Sequence, residues 1–363
     1  VIELKNDQLV VTFPDLHEGA RLTIGFQRTL RIPDDGTDHP LPPGLGRFPL
    51  RHVDDFADRL PASWSRHGGV LFPMHSTEAM WLNFSSARVS GHDHAWPFAL
   101  KIATGKRSAV TGEAWRQGLH RQPKQDYLVV PSQPWLDGYC VEEGVIRQFV
   151  AMPLGEGYTV EEQLTDLAEV GGLQIEVIPM KREAFLRRWP EVEFDEMAME
   201  MCMSGPPMPA AAAPKRRAKK EMGLAPGGRM RQSIHADRYD PDEWDLDTSS
   251  RCFVHLLDAA AWPAVTGHAA PTKPPTAADY SNAGLPWFHY DDGDATPVAG
   301  SKLLPGLKSV LGMGEAKGED PLPENEPVPN PVVVDTKTGK RVGDQVRESS
   351  FQAADVPCRR RGT

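Results

Sequence analysis

Long apolar runs are missing from this 363-residue chain. None approaches the roughly 18 consecutive residues that a membrane-crossing helix needs, so a helical span is excluded. Paired cysteines are missing too. Cys140, Cys202, Cys252 and Cys358 include no C-x-x-C, and their wide spacing is neither a zinc signature nor a dense disulfide framework. They fit four reduced thiols, which favours the cytoplasm; two disulfides in a processed secreted protein remain the alternative, and the compartment stays open. No G-x-S-x-G elbow occurs. Positive charge is also short, with 40 Lys+Arg against 50 Asp+Glu and a net charge of −10, which argues against a protein that coats nucleic acid.

What is abundant is proline, glycine and tryptophan: 34, 32 and nine residues. Proline fixes φ and removes a donor, so a chain well above the usual share of about 5% has short elements and many irregular connections. Period-two patterning supplies the elements. In Arg21–Ile32 the residues Leu22, Ile24, Phe26, Leu30 and Ile32 share one parity, the mark of a half-buried strand. Leu9–Phe13, Val70–Phe72, Ala79–Phe84, Phe98–Ala103, Tyr127–Val130, Val145–Met152, Leu173–Ile178 and Arg251–Leu257 read as further strands. Helices are few. Val53, Phe56, Ala57 and Leu60 form one apolar stripe closed by Pro61, Thr159-Val-Glu-Glu162 matches a capping box, and Lys181–Trp189 ends at Pro190. The fold expected is mainly β or α+β: an antiparallel, sandwich-like body with a few short helices, long irregular linkers and a Pro-rich C-terminal tail.

Composition divides the chain further. Residues 1–190 read as the β-rich main domain. Residues 191–243 run from acidic to methionine-dense, Pro/Ala-rich, basic and Gly-rich without an apolar period, and read as a linker or exposed excursion. Residues 244–313 read as a small α+β segment packing on or completing the main domain, and 314–363 as a Pro-rich flexible tail in which Val332–Val334 could add an edge strand.

Several groups of residues invite a chemical reading. His75, His92 and His94, with Glu78 as general base, could form a three-nitrogen metal site that activates water, which gives the alternative of a metal-dependent hydrolase. Against it, His92-Asp-His94 also reads as a solvated loop. Thr104-Gly-Lys-Arg-Ser108 lacks the leading glycine of a phosphate loop and reads as a turn. Asp240–Asp247 fails the EF-hand spacing. The basic run 215–220 has no interleaved aromatics, so base stacking is unsupported.

The binding candidates are aromatic and sulfur-bearing. Trp135 and Tyr139, and Trp287 and Tyr290, lie in Pro/Gly-bounded turns, where aromatics bring large contact area at low entropy cost. Met197, Met199, Met201 and Met203 form a soft, adaptable strip. With no complete catalytic set and no cofactor motif, the function expected is a non-enzymatic binding or assembly protein, acting on a protein partner or a second copy of itself.

Overall fold

The structure, a computed structural model, describes residues 1–191, 221–290, 296–329 and 331–342. The methionine strip, the basic run, Cys202 and Cys358 lie outside the described residues, while Cys140 and Cys252 are free thiols. Among the described residues the body is a 17-stranded, mostly antiparallel sheet accompanied by six short helices. No helix among the described residues is long and apolar enough to cross a membrane.

Two ladders make up most of the sheet. In one, Leu173–Pro179 lies between Phe98–Thr104 and Ser250–Asp258, with Val70–Met74 parallel to the outer side of Ser250–Asp258. In the other, Gln8–Thr12, Arg21–Thr29, Ala79–Ser85, Val145–Pro153 and Glu221–Arg231 follow one another antiparallel. The two join where Glu221 and Met222 pair with Leu257 and Leu256. Their apolar faces close on one core. Phe26 of the second ladder packs against Phe72 of the first at 5.4 Å between ring centres, and the Tyr139 hydroxyl lies 2.7 Å from that of Thr104. The period-two reading holds: Leu22, Ile24, Phe26, Leu100, Ile102, Leu173, Ile175 and Val177 are all buried.

The strand Glu221–Arg231 corrects the linker reading for those residues. Its eleven residues include Pro226-Gly-Gly228, which looks like punctuation in a sequence. In the ladder that tripeptide lies at a bulge, where Arg147 faces Arg229 but Phe149 faces Pro226, so Gly227 and Gly228 oppose the single residue Gln148. A β-carbon on Gly228 would fall 2.3 Å from the Pro33 carbonyl oxygen, so glycine here permits close backbone approach.

The stripe at 53–60 is also corrected. It packs as expected, with Val53 buried and Phe56 and Leu60 partly buried against Trp64, Leu71, Leu257 and Trp262, but it is not a helix. Residues Asp54–Phe56 form one 3-10 turn, and Pro61 opens the following helix, Ala62–His67, instead of closing an earlier one. Proline at a helix start removes a donor that the first turn would leave unpaired anyway. The Thr159 capping box forms as read, heading Val160–Thr165, and Arg182–Arg188 is helical.

Past residue 314 the chain is not featureless. Val310–Lys317 is helical, and Val332–Asp335 pairs in parallel with Pro286–His289 as a small second sheet. Trp287 of that sheet is buried with Leu30, Ile32, Ile146 and Met230.

Replacing fully buried Phe149, which meets Tyr139 edge to face at 4.7 Å, by alanine should destabilise by about 3–5 kcal/mol. The same change at partly buried Phe56 should cost less than about 2 kcal/mol. Denaturant titration of both variants compares the two.

Candidate functional site

The residues singled out in the sequence separate in space. His75 and Glu78 belong to a polar seam in which Glu78 and Arg28 are buried and His75 is half-buried. The His75 Nε2 donates to the Pro271 carbonyl at 2.8 Å, and its backbone N–H to Glu78 Oε2 at 2.9 Å. Glu78 Oε1 accepts from Arg28 Nε at 2.7 Å, and Arg28 Nη2 reaches the Thr272 carbonyl at 2.6 Å. Burial raises the Glu78 pKa, with Arg28 opposing the rise. His92 is elsewhere and is not a solvated loop residue. It is buried against Phe185, and its Nδ1 donates to the Trp189 carbonyl at 2.7 Å. His94 stacks on Trp189 at 4.0 Å, and its Nδ1 donates to the Ala95 carbonyl. The three imidazoles serve separate structural contacts, and among the described residues no three His, Cys, Asp or Glu side chains are placed to hold a metal ion. The hydrolase alternative therefore loses its ligand set.

The aromatic candidates divide as well. Tyr139 and Trp287 are core residues: the Tyr139 hydroxyl donates to the Leu224 carbonyl at 3.0 Å, and Trp287 Nε1 to Ser281 Oγ at 2.8 Å. Neither can present its ring to a partner. Trp135 and Tyr290 remain near the surface and meet edge to face with ring centres 4.5 Å apart, Tyr290 being 36% exposed.

Around this pair the ladder register assembles a wider face. Trp135 stands opposite Asn83, and Leu136 opposite Leu82. Side chains alternate along Ala79–Ser85, so Met80, Leu82 and Phe84 enter the core while Trp81 and Asn83 point to the other side, both partly exposed. Trp81 and Trp135 are thus diagonal neighbours across the ladder, a relation that puts α-carbons about 7–8 Å apart. Gly25 pairs with Asn83, and a β-carbon there would fall 2.3 Å from Asn83 Oδ1, so the missing side chain leaves the amide its place. Asn83 Oδ1 accepts from Gln27 Nε2 at 2.9 Å. Two tryptophans, a tyrosine and a bonded amide pair therefore share one side of the sheet.

Trp135 rests on a rigid base. Its carbonyl accepts from Gln133 Nε2 at 3.1 Å and Gln232 Nε2 at 3.2 Å, both glutamines being buried. Gln232 Oε1 in turn accepts the Asp137 N–H at 3.0 Å. The indole Nε1 of Trp135 donates to Asp137 Oδ2 at 2.5 Å. Asp137 has no cationic partner among the described residues, and burial pushes its pKa from 3.8 up to about 7, the indole bond only partly offsetting it. Trp81, Asn83 and Asp137 were not singled out in the sequence. The period-two pattern of Ala79–Ser85 carries the signal for the first two, whereas nothing in Trp-Leu-Asp-Gly reveals that its aspartate is buried.

No family model matches the chain, and neither does any curated protein or solved structure. The reading of the site therefore rests on its own geometry.

Two measurements follow. Asp137 holds a proton in the folded chain between its ordinary pKa of 3.8 and about 7, where the unfolded chain has released it. Its contribution to stability is present below pH 4, is lost as pH rises to 7, and is flat beyond. Asp137→Asn should remove this slope, so that variant minus wild-type stability grows from pH 4 to 7 by up to about 4 kcal/mol in parallel denaturant titrations. Glu78→Gln, which leaves Arg28 without its buried counter-charge, should destabilise by about 3–5 kcal/mol and leave metal content by elemental analysis unchanged.

Proposed function

We propose that this chain is a non-enzymatic binding or assembly protein whose contact surface is the sheet side bearing Trp81, Trp135 and Tyr290. The observation that carries the reading is the Trp135–Tyr290 edge-to-face pair, kept near the surface on a base of buried glutamines. Pre-set aromatics lose little entropy on contact, and Trp and Tyr are the residue types on which association energy concentrates. The amides of Gln27 and Asn83 supply polar groups beside the rings, as interfaces that form and dissociate require. The partner proposed is a protein, a second copy of the chain first among them. The methionine strip at 197–203 belongs to the same proposal on its composition alone, as an adaptable apolar segment that gains contacts on a partner.

The test replaces Tyr290 by arginine, which places a charge in the face at a side chain already open to solvent. Trp135→Ala is the second variant. Sedimentation velocity over a range of concentrations should show the wild type associating and Tyr290→Arg requiring at least about tenfold higher concentration, equivalent to about 1.4 kcal/mol. Melting of Tyr290→Arg should stay close to that of the wild type. A wild type that remains monomeric throughout, or a variant that associates equally well, overturns this assignment of the face.

A further inference from the structure

A hollow of about 330 Å3 opens on another part of the sheet, beside the Leu173–Pro179 and Ser250–Asp258 strands, and shares no residue with the aromatic face. Its aromatic walls are Trp115 and Phe253, with Lys106, Gln174 and Arg251 at the polar side; core residue Ile175 and its ladder partner Cys252 complete the lining. That volume falls in the range of small-ligand sites, which combine apolar walls with a few placed polar groups.

Both aromatic walls are held by neighbours. Phe253 has the His67 ring stacked on it at 4.3 Å with planes 6° apart. Trp115 has the Lys101 ammonium over its ring at 5.0 Å, and Lys101 is itself fixed by the Arg116 and Gly118 carbonyls and by Asp126. The walls therefore need little ordering when a ligand enters.

The charges point one way. Among the described residues no carboxylate lines the hollow. Arg251 is committed to Glu176 at 2.7 Å. Lys106 has no carboxylate partner among the described residues, and its charge, after partial burial and together with Arg66, holds the His67 pKa below its ordinary value. Lys106 is also held in an unusual backbone state. Gly105 and Lys106 form the two-residue tip between paired Thr104 and Arg107, with φ of +53° and +58°. Such tips favour Asn or Gly, because a larger side chain at positive φ is disfavoured. The Lys106 N–H donates to Gln174 Oε1 at 2.6 Å, which ties the tip to the neighbouring strand at the wall of the hollow. The tip thus fixes the backbone of Lys106 beside the hollow.

The geometry points to a binding site for a small aromatic anion, its flat body against Trp115 and Phe253 and its carboxylate on Lys106. The probes are 2-naphthoate and the neutral, nearly isosteric 2-naphthamide, titrated into the full chain by isothermal calorimetry. In the wild type the acid should bind about fivefold to tenfold more tightly than the amide, the range of one charge-assisted contact at a partly open site. Lys106→Gln keeps a long side chain at the same backbone position and should bring the two affinities level. Phe253→Ala should weaken both ligands about tenfold or more, from loss of the apolar wall. Equal binding of acid and amide by the wild type overturns the proposal without reference to any variant's folding. So does an acid preference that survives in Lys106→Gln, and so does no binding of either probe at millimolar concentration.

Discussion

The body depends on one pairing, that of Glu221–Arg231 with Val145–Pro153. The strand runs the length of its neighbour, then at Glu221 and Met222 joins the Ser250–Asp258 strand of the other ladder. Without it, the two ladders would each present an apolar face and an unpaired edge. With it, Phe26 and Phe72, or Tyr139 and Thr104, become neighbours in one core. The pairing in turn depends on two glycines at a bulge, since a side chain at 228 would meet the Pro33 carbonyl.

The strands along which polar and apolar residues alternate were legible in the sequence. Arg21–Thr29, Phe98–Thr104 and Leu173–Pro179 each put their apolar parity into the core; in the last two the opposite parity, Lys101, Gln174 and Glu176 included, is buried as well, so alternation in the sequence marks the core face without marking a solvent face. Glu221–Arg231 was not legible, because Met222 to Gly228 contain no polar residue to alternate with the apolar ones and Pro-Gly-Gly imitates a loop. The stripe at 53–60 shows the converse. Its spacing gave correct packing partners, but spacing alone does not distinguish a helix from a short turn whose side chains gather on one cluster.

Of the candidate site, the part that composition could reach was half. Turn-borne aromatics were found by their Pro/Gly context, yet that context does not say which ring turns inward. Trp287 is enclosed by residues as distant as Leu30 and Met230, and Tyr139 by Thr104 and Leu224, contacts of long sequence separation. The histidines failed for a related reason. His75 answers to Pro271 and His92 to Trp189, partners that no local window contains.

Both surfaces straddle the two halves of the chain. Trp135 comes from before residue 191 and Tyr290 from after 221; Lys106 and Trp115 face Phe253 across the same divide. A ribosome delivers the first half well before the second. During that interval Val145–Pro153 and Leu173–Pro179 each lack the neighbour that later covers one side, so the nascent chain displays two open strand edges at once. Vectorial synthesis thus imposes a waiting period in which the growing chain is most exposed to wrong pairing, and its length is set by how quickly residues 221–258 emerge.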